Sequence, residues 1–388
     1  MKLLIYTQAF PPQVGGQETI LMLLANGLAT LPTVDAGVSM EVTLITPVLA
    51  NDATDSLLPF RVVRRPGLIS LFRLFREADI IHLAGAMMIP MILGKLLRKP
   101  IVIEHHGFQP ICPNGQLLFQ PTQTACPGHF MAGNFDKCIH CNASLGSMQA
   151  ITMWLLTFPR RWFCQHIAVN VLPTAWLGSQ LRLNRMETIV HGLPRTDLVR
   201  ISTIPSKPLF AFVGRLVTTK GVRVLLEAAQ RLKAKGLEFK VKIAGQGPDR
   251  GLLEDFSREL GLQNCVEFLG YVSPEALSEV LSNASAVVMP SLAGEVFGLS
   301  AAENMSNGKL VIASDLGSLS EVIGDSGMIF PAGDSVALGH RMEEVIANPD
   351  TIRRLGRAAH ERIAERFALE SMIKDHYVLY RRLLVVAS

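Results

Sequence analysis

Two glutamates eight residues apart, Glu295 and Glu303, bracket the stretch Glu-Val-Phe-Gly-Leu-Ser-Ala-Ala-Glu. The residues after Gly298 read as the opening of a helix, with Glu295 in the loop before it and Glu303 about one turn inside. The amides near Phe297, Gly298 and Leu299 then become helix-start donors, which suit a phosphate or an anionic oxygen. A carboxylate beside them can accept hydrogen bonds from sugar hydroxyls. The plainer alternative is a pair of surface glutamates favoured by the helix dipole. A second stretch, Gly214-Arg-Leu-Val-Thr-Thr-Lys-Gly221, follows the apolar run Leu209–Val213. It sets Arg215 and Lys220 at the carboxyl end of a strand. There a guanidinium can fork onto phosphate oxygens and an ammonium can act as a point charge. Solvated cations in a strand-to-helix loop are the alternative.

Three further groups could carry chemistry. Ile103-Glu-His-His-Gly107 places His105 and His106 after another predicted strand, where both are expected to face a ligand; His82, ending a different strand, reads as a packing or positioning residue. Cys112, Cys126, Cys138 and Cys141 form a Cys-x13-Cys-x11-Cys-x2-Cys series. Its last pair has the spacing that lets two thiolates grip one metal ion, so the four are candidates for one structural zinc, with His129 or His140 able to replace a ligand. Buried or redox-active thiols without metal are the alternative. Finally, Arg61, Arg64, Arg65, Arg73 and Arg76 alternate with Leu68, Ile69, Leu71, Phe72, Leu74 and Phe75. Such a stretch can lie on an anionic membrane or pack on a sheet with its cations solvated. Trp154, Arg160, Arg161, Trp162 and Phe163 make a second patch of this kind.

The elements that must position these residues alternate strand and helix. In the second half, strands are expected at Leu209–Val213, Val241–Ala244, Val266–Phe268, Ala286–Met289 and Leu310–Ala313, with helices between them. In the first half, Leu3–Tyr6, Val42–Ile45, Arg61–Val63, Ile80–Leu83, Ile101–Ile103 and Ala168–Leu172 repeat the pattern, with a helix from Thr19 to Ala29. Near-continuous apolar strands imply parallel sheets covered on both faces. A chain of 388 residues with 49% hydrophobic content has room for two such cores. The expected fold class is therefore α/β, with two Rossmann-like, doubly wound parallel-sheet domains facing a central cleft. Their expected bounds are 1–190, carrying a Cys-rich insertion at 107–146, and 205–368. Pro205, Ser206 and Pro208 mark the linker, and the segment 369–388 is expected as a helix crossing back to the first domain.

A net charge of +4 with 18% charged residues excludes a nucleic-acid binder and suits anionic ligands or an anionic surface. The apolar start Met1–Thr7 is broken by Gln8, Pro11 and Pro12, too early for a signal peptide, and no stretch is long enough to span a bilayer. The expected location is cytoplasmic, with peripheral attachment to the inner face of the plasma membrane left open. Six cysteines in such a compartment are not expected to pair.

The order and spacing of Gly-Arg-Leu-x3-Lys-Gly, the Gly245-Gln-Gly-Pro248 turn, Phe268-Leu-Gly270 and Glu-x7-Glu resemble glycosyltransferase family 4. The likeness covers nearly the whole chain and is best from Leu209 to Pro331. It implies the GT-B fold, retaining chemistry and no cofactor or metal needed for catalysis. It further implies that Arg215 and Lys220 neutralise the departing diphosphate, that Glu303 binds the ribose hydroxyls, and that Glu295 holds the donor sugar. The amides of Phe297, Gly298 and Leu299 would help hold sugar and phosphate, with Gly214 in the same turn as Arg215. The loop Pro11-Pro-Gln-Val-Gly15-Gly16 matches a paired-glycine loop that lies against diphosphate and acceptor, where glycine permits close backbone approach. His106 matches a histidine near the donor sugar. Gly107 departs from the Asp that often follows it, which leaves the carboxylate partner open, with Glu104 a candidate substitute.

The resemblance thus implies a hexosyltransferase taking a hexose-type sugar from a nucleotide diphosphate sugar, UDP or GDP favoured, to a glycan or lipid-linked acceptor in cell-surface polysaccharide or glycoconjugate synthesis. A sugar-nucleotide epimerase on the same fold, or a non-catalytic nucleotide-sugar or glycan-binding partner, are the alternatives.

Overall fold

Apolar runs that end in glycine, proline or a polar residue become strands, and the amphipathic stretches between them become helices that cover both faces. The structure, a computed structural model, describes residues 1–13, 15–31, 40–49, 55–196 and 207–387. Val14 of the glycine loop and Pro205 and Ser206 of the expected linker lie outside the described residues.

In chain order the strands are β1 (Lys2–Tyr6), β2 (Glu41–Thr46), β3 (Arg61–Arg64), β4 (Ile80–Ala84), β5 (Ile101–Glu104), β6 (Leu118–Phe119), β7 (Thr124–Ala125), β8 (Val169–Leu172) and β9 (Met186–Thr188). They continue with β10 (Leu209–Val213), β11 (Lys240–Ala244), β12 (Val266–Gly270), β13 (Ala286–Met289), β14 (Val311–Ser314) and β15 (Met328–Phe330). The chain forms two compact units. Unit 1 holds Met1–Gly115, Gly128–Pro194 and Phe367–Ser388; unit 2 holds Gln116–Pro127 and Arg195–Arg366.

Unit 1 is built on a parallel sheet in the order β3-β2-β1-β4-β5-β8-β9. β4 and β5 are buried along their whole length, as central strands covered on both faces must be. Helix Gly16–Ala29 buries Ile20, Leu21, Leu24 and Leu28, and packs on helix Leu369–Ala387 of the same unit. Gly27 makes that packing close, because a Cβ there would stand 2.0 Å from Ile373 Cδ1.

Unit 2 repeats the design with the order β12-β11-β10-β13-β14-β15. Its core runs from Phe210 and Phe212 of β10 to Leu225, Ala229 and Leu232 of helix Val222–Ala234, and to Ile312, Phe330 and Met342. Ser273 caps helix Pro274–Ser282 by accepting from the Ala276 amide, with Pro274 at the first turn. In both sheets the strand order reverses beside the first strand, between β1 and β4 and between β10 and β13. Such reversals open a crevice at the carboxyl ends of the strands.

One sequence expectation is corrected. The Cys-rich insertion is not one appendage of the first domain: Gln116–Pro127, with the β6–β7 hairpin, belongs to unit 2. Within the insertion, Phe130 and Phe135 cluster with Trp154 and Phe158 of helix Ser147–His166. In the basic stretch Arg61–Arg76, the expected strand is present as Arg61–Arg64, and Leu68–Glu77 is helical. One of its arginines is diverted, because the end of the strand carries Arg64 onto Asp55. Among the described residues no helix is long and apolar enough to cross a membrane.

Candidate functional site

The unit 2 site grows from the strand reversal between β10 and β13. After β10 the chain turns through Gly214 and a short 3-10 turn, Thr218–Lys220, into Gly221. This loop lies against its neighbours so closely that side chains are excluded. A Cβ on Gly221 would meet the Pro290 carbonyl oxygen at 1.8 Å, and one on Gly245 would meet the Gly214 carbonyl oxygen at 1.8 Å. Gly221 also sits at φ +65°, in the left-handed region. The Leu216 amide donates to the Gln246 carbonyl at 2.9 Å, so the Gly245-Gln-Gly-Pro248 turn braces the Arg215 loop.

The close approach of Gly221 to Pro290 brings the loop after β13 onto the loop after β10. Lys220 Nζ then reaches Glu295 Oε1 at 2.5 Å, and Ser291 Oγ donates to the same oxygen at 2.9 Å. Lys220 and Glu295, 75 positions apart in the chain, are thus one ion pair before any ligand arrives. Ser318 Oγ holds the Glu295 backbone carbonyl at 2.7 Å. The Glu295 side chain is 10% exposed and that of Lys220 29%, so the pair is sheltered but reachable. Arg215 is exposed and forms no ion pair among the described residues. Gly298 opens helix Leu299–Ser306 from a left-handed φ of +90°, and a Cβ there would strike Leu319. Phe297 is buried, so its side chain anchors the loop and cannot itself meet a ligand. The first amides of the helix, from Leu299, have no acceptor within it. Glu303 stands exposed on the same helix; the surrounding atoms push its carboxyl above the usual range by partial burial, an effect its exposure limits.

Unit 1 carries a second concentration of chemistry, at the carboxyl ends of β4 and β5. Glu104 is fully buried. His82 Nε2 lies 3.1 Å from Glu104 Oε2, His191 Nε2 lies 3.1 Å from Oε1, and His106 Nε2 lies 3.6 Å from Oε2. Burial alone would raise the Glu104 carboxyl; attraction to His106 and the hydrogen bonds from His191 and His82 outweigh it and hold the carboxyl well below the usual range. Tyr380 of helix Leu369–Ala387 reaches His82 Nδ1 at 2.8 Å. His106 stacks on His191, with ring centroids 5.4 Å apart.

The expectation that His105 faces the ligand together with His106 is corrected. Neighbouring residues at a strand end point to opposite sides, and His105 turns into the fold, where its Nε2 meets Asn170 Oδ1 at 2.9 Å. His82 lies buried between Glu104 and Tyr380. His191, Asn170, His376 and Tyr380 were not picked out from the sequence. For His191 there was a signal: His191-Gly192 follows β9 much as His106-Gly107 follows β5. Gly192 lets the C-terminal helix come close, since a Cβ there would lie 2.6 Å from the Ala368 carbonyl oxygen.

The glycine loop after β1 opens helix Gly16–Ala29 from an extended Gly15. A Cβ on Gly15 would meet Glu18 Oε2 at 2.6 Å, so Glu18 folds back over the loop. The cysteines are divided: Cys112, Cys138 and Cys141 are buried in unit 1 and Cys126 falls in unit 2. Cys112 Sγ lies 3.1 Å from Asn114 Oδ1, and Asn114 Nδ2 lies 3.9 Å from Cys141 Sγ. Among the described residues, the sets of three or more metal-capable atoms within 4.8 Å of one another are formed by Glu104 and its histidines and include none of the four thiols. In the second basic patch, Arg161 spends its guanidinium on the Leu181 carbonyl at 2.8 Å, and Trp154 packs on Phe135.

The buried imidazoles set an acid limit on the fold. Burial pushes His105 down to about 4 against its hydrogen bond to Asn170, and burial likewise pushes His376 down to about 4, each from an ordinary 6.5. The unfolded chain therefore binds more protons between pH 6.5 and 4, and native stability falls as the pH drops through that window. The loss is on the order of 3 kcal/mol for each ring. Urea unfolding at stepped pH checks this: the midpoint should fall steadily below pH 6.5, and a flat midpoint would mean that the native rings titrate freely.

Residues 195–362 match the family model described as Glycosyl transferases group 1. Among curated proteins, the chain is 33% identical over 187 residues to D-inositol 3-phosphate glycosyltransferase of Corynebacterium urealyticum, covering 46% of this chain and 44% of that one. It is 32% identical over 179 residues to O-antigen chain mannosyltransferase C of Escherichia coli, covering 45% and 47%. The chain thus matches under half the length of these relatives. Among solved structures, sucrose-phosphate synthase of Thermosynechococcus elongatus superposes with a TM-score of 0.71 at 20% identity, over 99% of both chains. Anabaena HepE in complex with UDP-glucose gives a TM-score of 0.69 at 17% identity, over 100% of both. The glycine loops after β10 and β11, the Lys220–Glu295 pair and the helix start at Gly298 all lie inside the matched segment 195–362, and the solved structures, which superpose over nearly the whole chain, show that the fold is GT-B.

Proposed function

We propose that the protein is a retaining glycosyltransferase that moves a hexose-type sugar from a nucleotide diphosphate sugar to a glycan or lipid-linked acceptor. The observation that carries this reading is the Lys220–Glu295–Ser291 cluster beside the helix start at Gly298. It combines a cation, a sheltered carboxylate and helix-start amides within one strand-end crevice, which is what a diphosphate joined to a polyol needs. Arg215, exposed on the same loop, adds the second cation. In this reading Arg215 and Lys220 compensate the charge that develops on the leaving diphosphate. Glu295, Gly298 and Leu299 hold the sugar and phosphate, and Glu303 takes the ribose hydroxyls. In unit 1 the Gly15–Gly16 loop serves the diphosphate and acceptor, and His106 serves the transferring sugar. Relatives that act on cell-surface polymers, such as the O-antigen mannosyltransferase, support a role in polysaccharide or glycoconjugate synthesis.

The acceptor reading has support of its own in unit 1. Leu68 and Ile69, 84% and 81% exposed, stand on helix Leu68–Glu77 next to exposed Arg73 and Arg76, and Ile89 and Leu96 continue the apolar face on the adjoining helix Met88–Leu96. An apolar face flanked by cations suits an anionic lipid surface, where a lipid-linked acceptor resides. Co-sedimentation with anionic vesicles should capture the protein, and Leu68→Asp should release it.

The first experiment is a thermal-shift screen of the purified protein against UDP-, GDP-, ADP- and dTDP-sugars, with zinc content read on the same sample. One nucleotide sugar should raise the melting temperature, and the shift should vanish in Glu303→Ala. Folded protein that responds to no donor would overturn the transferase reading in favour of a glycan-binding one. Bound zinc would show that metal draws the cysteines of the insertion together.

A further inference from the structure

We infer that Glu104 is the positioning residue for His106, and that it acts as the middle member of a buried hydrogen-bond chain starting at Tyr380. The inference rests on the proposed role of His106 in the transfer.

The directions of the bonds follow from the groups themselves. An ionised carboxylate only accepts, so His82 Nε2 and His191 Nε2 must carry the protons they share with Glu104. With its proton on Nε2, His82 leaves Nδ1 as an acceptor, and the Tyr380 hydroxyl donates to it at 2.8 Å. The chain therefore runs Tyr380 O–H to His82, His82 N–H to Glu104, and Glu104 towards His106. All four groups belong to unit 1, and Tyr380, His82 and Glu104 are fully buried.

Packing alone does not call for this arrangement. A buried anion surrounded by imidazoles is commonly no more stable than apolar side chains of the same volume. What the arrangement supplies is a fixed orientation. Glu104 Oε1 is taken by His191 and Oε2 by His82, so the carboxylate cannot rotate. His106 Nε2 is buried, makes no hydrogen bond, and points at Oε2 from 3.6 Å. A shift of about half an ångström completes that bond within ordinary N–H···O range. The stacked His191 ring limits the face on which the shift can occur. Whenever the His106 ring is neutral, that bond holds its proton on Nε2 and leaves Nδ1 to accept from a hydroxyl. A glycine at position 107 supplies no carboxylate; Glu104, at the end of β5, supplies it from within the sheet.

The test reads the His106 ring directly. Long-range proton–nitrogen NMR correlations of ¹⁵N-histidine-labelled protein give the tautomer of each neutral ring, with His106 assigned through His106→Gln. The expected wild-type result is Nε2–H at His106. Glu104→Gln should move His106 towards the Nδ1–H tautomer. Tyr380→Phe, which keeps the ring packing and removes only the hydroxyl, should move it part of the way with His340 in unit 2 unchanged. An Nδ1–H tautomer in the wild type, or a His106 signal indifferent to Tyr380→Phe in folded protein, would overturn the inference. Donor turnover in His106→Ala separates the two ideas. Full turnover there would sink the transfer role of His106, whereas the tautomer data stand or fall without any substrate.

Discussion

Lys220→Ala is expected to lower turnover by about 10²- to 10³-fold, the loss typical of removing one preorganised charge-stabilising donor, while the melting temperature barely moves. The two halves of that expectation come from different observations. Lys220 stands 29% exposed in a short turn and contributes its ammonium, not packing, so its removal opens no cavity. Glu295 keeps Ser291 as a donor at 2.9 Å and remains partly open to water, so the orphaned carboxylate is tolerated. A departing diphosphate has no such substitute, because Arg215 alone would face the charge that develops on the leaving phosphate as well as the two that the diphosphate already carries. The pairing also predicts a split in kinetics. In the proposed reading a donor phosphate draws Lys220 away from Glu295, which frees Glu295 Oε1 for a sugar hydroxyl at the same moment. Lys220→Ala should therefore lower kcat far more than it raises the donor KM. Wild-type turnover in this variant, measured with the donor found by thermal shift, would remove the phosphate role of Lys220.

Gly221→Ala should be among the most damaging single-methyl changes in unit 2. The new Cβ would lie 1.8 Å from the Pro290 carbonyl oxygen, which belongs to backbone and cannot swing aside. The φ of +65° adds strain for any side chain. Together these cost about 3 kcal/mol or more, enough to lower the melting temperature by several degrees in a chain this long. Relief requires the loop after β10 to move from the loop after β13, and that movement parts Lys220 from Glu295. Chemical denaturation and donor binding should fail together; a Gly221→Ala protein as stable as wild type would show that the two loops are not held as described.

How much of this was legible in the sequence varies from site to site. The alternation of apolar runs with amphipathic stretches announced two parallel sheets, because a strand covered on both faces has no polar side to hide. Gly214 to Glu303 was legible because each motif directly follows the strand that presents it. The Lys220–Glu295 ion pair was not, since it depends on β10 and β13 being neighbours, a fact of strand order that spacing does not encode. Glu104 was legible only as a substitute for a missing Asp. Its partners come from β4, from the turn after β9 and, through His82, from the C-terminal helix, and no periodicity links positions 82, 104, 191 and 380. The β6–β7 hairpin was illegible for another reason. Strands of two residues carry no alternation, and only the surface they pack on assigns them to unit 2.

The path of the chain through those units bears on how the molecule can be made. The hairpin Gln116–Pro127 is translated about eighty residues before the rest of unit 2 begins at Arg195, and Phe367 onward returns to unit 1 only after unit 2 is finished. Unit 1 therefore cannot be completed until unit 2 has been synthesised. Unit 1 waits for Tyr380 with its buried carboxylate lacking part of its hydrogen-bond chain, and its core around Gly27 lacks the helix that covers it. The nascent protein carries an unfinished first half throughout synthesis of the second. Residues 195–366 expressed by themselves lack the hairpin that lines one crevice with Leu252, Leu253 and Phe256, and their yield in soluble form should suffer for it.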